Sequence, residues 1–117
     1  MNKYVAIFCL PADGVKDWMA NTDEKTRKEQ TTQVMKEWET WKESHKDSLV
    51  DAGMPLGKTK RATKDGVTDV VNDLNWLMIV QAESHQAAAE LVQTNPHIQM
   101  IPGSYVEVMD ANFASGM

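Results

Sequence analysis

The stretch EWETWKESH, residues 37–45, sets Trp38, Trp41 and His45 three and four residues apart. At 100° per residue of helix, His45 falls within about 40° of both tryptophans, inside an apolar stripe that also holds Val34. An imidazole between two indoles suits a general base or acid in an aromatic pocket, because histidine is the side chain that ordinarily changes charge near neutral pH. The same spacing equally describes a neutral histidine bonded to a backbone carbonyl or a carboxylate, with the tryptophans as packing. Phe8 and Trp76, on apolar strands, would complete the wall. His97 follows Pro96 at the start of the last segment, where junctions between elements often carry binding residues. His85 opens a short helix and is expected to face solvent. Of the nearby carboxylates, Asp51 lies almost opposite His45 on a continuous helix, which leaves Asp65, in a turn, as the partner for His45 or His97. One histidine with one carboxylate supports proton transfer or elimination without a cofactor.

Other chemistries find little support. Three histidines, at 45, 85 and 97, match no compact metal-ligand spacing, and Cys9 is the only cysteine, so no bound metal, thiolate cluster or intrachain disulfide is expected. There is no glycine-rich phosphate loop, nucleophile elbow or dinucleotide fingerprint, so no cofactor is expected. A net charge of -5 disfavours a nucleic-acid partner. The short basic run Lys58, Lys60, Arg61 and Lys64 reads as a solvated strand edge. The apolar YVAIFCL near the start is too short to span a membrane and no cleavage site follows it, so a cytoplasmic protein without a membrane partner is expected. Met35, Met54, Met78, Met100 and Met109 suit an adaptable core or interface.

The elements that must position these groups follow from hydropathy. Residues 3–10 read as a first strand, apolar on both faces. PADGVKDWMANT is a connector with room for one helical turn. A long helix then runs from about Asp23, with Asn21 and Glu24 as a capping box, to Gly53 as its C-terminal cap. LGKTKRAT reads as a polar edge strand, KDG as a turn and VTDVVND as irregular or briefly extended. NWLMIVQA, residues 75–82, is a third strand, again apolar on both faces. Ser84 caps the helix HQAAAELVQT, which Asn95-Pro96 ends; SYVEVMD is the last strand and residues 111–117 a loose tail. The order β-α-β-β-α-β predicts one α+β domain over 1–117, a ferredoxin-like four-stranded antiparallel sheet with the two apolar strands at its centre. Two helices cover one face of such a sheet. A twofold homodimer through the sheet faces would cover the other, giving a dimeric α+β barrel.

The helical W-x-x-W, LVDAGMPLG, the DG turn, NWLMIVQAESHQAAAELVQTNPHI and the closing GSYVEV together resemble the YCII-related family over most of residues 3–110. The Asp-Gly-Pro-Phe tetrad of one large branch is replaced by KDGVTD, which suggests a divergent branch. The resemblance implies a ferredoxin-like fold assembled as a dimeric α+β barrel. A minority of members are similar to enzymes that use a histidine early in the first long helix, with an aspartate, on small aromatic or chlorinated compounds. Counted back from Gly53, that position is Trp41 or Lys42, and His45 is the nearest histidine. Three functions stay open: a small-molecule binding or proton-transfer protein, a non-catalytic dimeric binding or regulatory module in which Trp38, Trp41 and His45 are core, and a cofactor-independent oxygenase.

Overall fold

A computed structural model describes residues 1–111 of the chain; the expected loose tail falls, from residue 112 on, outside them. Strand β1 (Asn2–Cys9) leads into α1 (Ala12–Asn21) and the long α2 (Glu24–Ser44). A 3-10 turn over Lys46–Ser48 feeds β2 (Leu49–Pro55), followed by β3 (Thr59–Thr63), β4 (Gly66–Val70) and β5 (Leu74–Ala82). Helices α3 (His85–Gln93) and α4 (His97–Met100) precede the last strand, β6 (Tyr105–Asp110). The main sheet has the order β2-β5-β1-β6, antiparallel throughout, and β3 and β4 form a separate two-stranded sheet. The two strands that are apolar on both faces, β1 and β5, are the central pair. The topology is ferredoxin-like, with a hairpin inserted between its second and third strands.

Several boundaries differ from those read off the sequence. The long helix stops at Ser44 and not at Gly53: His45 leaves helical angles (φ -119°, ψ 19°) and its backbone N–H returns to the carbonyls of Trp41 and Lys42. The residues beyond it pair with β5, so Leu49–Pro55, and not LGKTKRAT, is the edge strand. Gly53 has φ +100°, and a Cβ there would overlap the Leu77 carbonyl. A glycine in that backbone region serves a helix cap and an irregular strand alike, and here it serves the strand. LGKTKRAT instead supplies β3, which pairs with β4 from the stretch expected to be irregular. Helix α1 has ten residues rather than one turn. The cap of α2 is Asp23, whose carboxylate accepts from the Thr26 N–H at 2.7 Å, while Asn21 bonds back to the Asp17 carbonyl. Ser84 caps α3 through the Ala87 N–H.

On one face of the sheet Tyr4, Ala6 and Phe8 of β1 lie opposite Val80, Met78 and Trp76 of β5. Trp41 from α2 and Ala88 and Val92 from α3 close over them to form the core. The other face carries Val5 and Ile7 beside Ile79 and Leu77, flanked by Met54, Tyr105 and Met109, which stay exposed. The molecule is 19 Å through its thinnest dimension, which is one sheet and one helix layer at about 10 Å each. No helix among the described residues is long and apolar enough to cross a membrane.

Candidate functional site

The last two turns of α2 carry the side chains singled out above. Trp38 and Trp41 stack with ring centroids 5.8 Å apart, and the His45 ring follows 4.8 Å from Trp41. The buried Trp41 indole N–H donates to Thr94 Oγ1 at 2.8 Å, tying the helix to the end of α3. His45 is the C-cap residue of α2. Its Nδ1 lies 2.8 Å from the Trp41 carbonyl, and since a carbonyl only accepts, Nδ1 carries the hydrogen, which in the neutral ring leaves the lone pair on Nε2. The helix end thereby fixes both the tautomer and the tilt of the ring.

A cleft of about 460 Å³ opens beside this ring, bounded by Trp41, His45, Glu37, Lys36, Thr94 and Pro96. It shares Gln33, Glu37 and Pro96 with a second hollow of about 430 Å³ that reaches Val34 and Met100. The two form a groove along α2. Glu37 Oε1 is held by the Gln33 amide at 3.1 Å. Among the described residues Lys36 has no ion-pair partner, so the groove offers an indole wall, a base, a carboxylate and a free ammonium.

At the other end of the stack Trp38 meets Trp76 edge-on at 5.6 Å, Phe8 at 6.3 Å and His97 at 6.1 Å. Phe8 and His97 also touch edge-on at 5.8 Å. The Trp76 indole N–H donates to the Ala52 carbonyl at 3.0 Å, fixing that ring against β2. Phe8, Trp38, Trp41, Trp76, His45 and His97 are therefore one connected cluster of rings. The His97 backbone N–H donates to Oδ1 of the fully buried Asn95 at 2.8 Å, and its Nε2 lies 3.0 Å from Asn75 Nδ2.

Burial pushes the His97 imidazole below its ordinary value of 6.5. The unfolded chain then takes up a proton near 6.5 and the folded chain only at lower pH. Stability at this site is full above 6.5 and is lost as the pH falls below it towards the folded value. Urea midpoints of the native protein should accordingly fall between pH 7 and pH 5 more steeply than those of His97→Gln. Parallel curves would show that His97 titrates alike in both states.

Asp65 lies in the exposed turn between β3 and β4, where its backbone N–H is held by Thr63 Oγ1 at 3.2 Å. It belongs to the separate hairpin, and the carboxylate that borders the His45 cleft is Glu37. Asp51 is on β2 and accepts from the Gly53 N–H. His85 is exposed, as expected; its Nε2 also lies 2.7 Å from the Val108 carbonyl and its ring stacks on Tyr4, so it ties α3 to the edge strand β6. Sequence reasoning missed Glu37, Lys36, Thr94 and Asn75. Glu37 was legible as the residue four before Trp41, one turn up the same side of the helix; Thr94 and Asn75 are distant in sequence from what they touch. Burial raises the Cys9 thiol above its ordinary value, so it stays protonated and inert near neutral pH. Among the described residues no three His, Cys, Asp or Glu side chains gather where a metal ion would sit.

Fold and site together define a ferredoxin-like α+β protein with a histidine and an indole in a groove along its long helix. No family model and no curated protein matches the chain. Among solved structures it is similar to the 5-chloro-2-hydroxyhydroquinone dehydrochlorinase of Burkholderia phenoliruptrix AC1100 in complex with 2,5-dihydroxybenzoquinone, at 14% identity over 90% of each chain, with a TM-score of 0.48.

Proposed function

We propose that the protein is a cytoplasmic homodimer, a divergent relative of the YCII-related family, that binds a small, partly aromatic organic molecule in the α2 groove. It acts on that molecule by cofactor-free proton transfer or elimination. The observation that carries this is the His45 ring: Nδ1–H is committed to the Trp41 carbonyl, and among the described residues Nε2 has no hydrogen-bond partner, beside an indole and a 460 Å³ cleft. A ring seated in the cleft beside Trp41 and His45 would set its polar substituents against His45 Nε2, Glu37 and Lys36. Glu37 takes the carboxylate role expected of Asp65, whose described contact lies within its own hairpin. Trp38, Phe8 and Trp76 stand behind Trp41 and hold it, and His97 is a second imidazole at the far end of the same cluster. Dimerisation is supported by the sheet face that no helix among the described residues covers, where Val5, Ile7, Leu77 and Ile79 lie together.

His45→Gln tests this, because glutamine can still donate to the Trp41 carbonyl but cannot act as a base. Calorimetric titration with 4-hydroxybenzoate, chosen for a flat ring that fits the cleft and a carboxylate that faces Lys36, should show binding to the native protein weakened about tenfold in the variant, with Tm changed little. A variant that unfolds, together with a native protein that binds no hydroxybenzoate or phenol, would mean that the rings serve packing alone.

A further inference from the structure

The cleft beside His45 does not end at Glu37. It shares Gln33, Glu37 and Pro96 with the hollow that reaches Gln30, Val34 and Met100. Both lie in the valley between α2 and segment 94–100, where α4 packs against α2. Gln30, Gln33, Val34, Glu37 and Trp41 follow one another at three- and four-residue steps, so they form one stripe and the two hollows are in line along the helix axis. From Glu37 back to Gln30 the helix runs about 10 Å at 1.5 Å per residue. That is the reach of a hexyl or octyl chain.

The two ends of the groove differ in chemistry. The end beside Trp41 holds His45, Glu37 and Lys36. The far end is walled by half-buried Val34, Pro96 and Met100, and its amides are already engaged: Gln30 Oε1 accepts from the Trp18 indole N–H at 2.6 Å, and the Gln33 amide donates to Glu37 at 3.1 Å. The second of these bonds joins residues one turn apart on one helix, so it runs along the groove and does not partition it. Among the described residues no cation lines the far end, whereas Glu29 and Glu37 do. An anion there would meet like charge. A hydrocarbon chain needs no polar partner and removes apolar wall from water.

We propose that the molecule bound in the α2 groove is an aromatic ring bearing an uncharged hydrocarbon chain, with the ring beside Trp41 and His45 and the chain laid along Val34, Pro96 and Met100. This rests on the groove being the ligand site, and it names the class of compound the groove takes. A phenolic hydroxyl meets His45 Nε2, a linking carbonyl accepts from the Lys36 ammonium, and the chain runs on towards the amino end of α2. A phenol without a chain leaves the apolar end to water, so chain length is what this groove selects.

The probes are the methyl, butyl and hexyl esters of 4-hydroxybenzoate, titrated by calorimetry into the native protein and Met100→Glu and followed by NMR in the native protein. A fully buried methylene is worth about fourfold in affinity and one in an open groove about twofold, so the hexyl ester should bind about thirtyfold tighter than the methyl ester. All three esters should shift the Trp41 indole N–H, and the longer two should also shift the Met100 methyl. Met100→Glu, which sets a third carboxylate at the apolar end, should cut the hexyl-to-methyl ratio to a few-fold. The Met100 methyl is read in the native protein, so it decides the question even where the variant does not fold. Esters that all move Trp41 yet bind alike, or a hexyl gain that survives Met100→Glu, would overturn the chain and leave the groove standing. Shifts at the Ile79 methyls in place of Met100 would put the chain on the open sheet face and overturn it equally. If no ester moves Trp41, the groove reading itself fails and the proposal with it.

Discussion

Phe8→Ala should destabilise the fold by about 3–5 kcal/mol, the range for removing a large ring from a core that collapses incompletely. Phe8 is 1% exposed, and its ring meets Trp38 and His97 edge-on. It is the residue through which the sheet supports both α2 and the segment that carries His97. For a chain of this length such a loss lowers Tm by roughly 10 °C or more. The tryptophan stack should loosen with it, so near-ultraviolet circular dichroism should weaken even where far-ultraviolet helicity persists. A loss below about 1 kcal/mol, with the tryptophan signal intact, would mean that the cluster does not depend on this ring.

Ile79→Glu should convert the proposed homodimer into a monomer. Ile79 lies at the middle of the open face, opposite Val5 on one side and Asp51 on the other, with Met109 beyond Val5. A carboxylate there remains solvated in a lone chain, so circular dichroism should be unchanged. In a twofold interface the same charge enters twice, each time beside Asp51 of its own sheet, at a cost of several kcal/mol. The dimer dissociation constant should therefore rise at least a hundredfold, measured by sedimentation equilibrium. A native protein that is monomeric at micromolar concentration would remove the dimer altogether. A variant that dimerises as tightly as the native chain would place the interface elsewhere.

Much of the fold was legible because burial writes itself into composition. Strands β1 and β5 are apolar on both faces, and that marked them as the central pair before any topology was known. The Ser84 cap and the break at Asn95-Pro96 were equally local. The end of α2 was not. Gly53 carries the positive φ that a helix cap and an irregular strand both demand, and only the pairing of Leu49–Pro55 with β5 distinguishes them. With the helix drawn eight or nine residues too long, His45 looked like the middle of a stripe, whereas it is the cap residue that ends it. Its neighbourhood with Trp41 survived the error, because three- and four-residue spacing holds to the last turn. The hairpin β3–β4 was half seen: its DG turn was plain, but residues 60–69 are exposed throughout and gave no alternation to follow.

The site was legible to a lesser degree, and for a physical reason. Trp38, Trp41 and His45 are neighbours on one helix, so periodicity finds them. Thr94, which receives the Trp41 indole N–H, is 53 residues away, and Asn75 reaches His97 only because a bulge reverses its face. Neither contact is written in local sequence. Asp65 was chosen because it follows the supposed end of the helix, and once that end moved to Ser44 the choice lost its basis, while Glu37 stood one turn from Trp41 throughout.

The most direct test of the groove is an NMR titration of the native protein with 4-hydroxybenzoate, followed at the Trp41 indole N–H and the His45 ring. Binding at the site should shift both signals together with the Thr94 amide, saturate with one molecule per chain, and leave Trp18, on α1, unmoved. Shifts scattered over the surface, or a Trp41 signal that stays still across a panel of phenols and benzoates, would contradict a ligand site in the α2 groove.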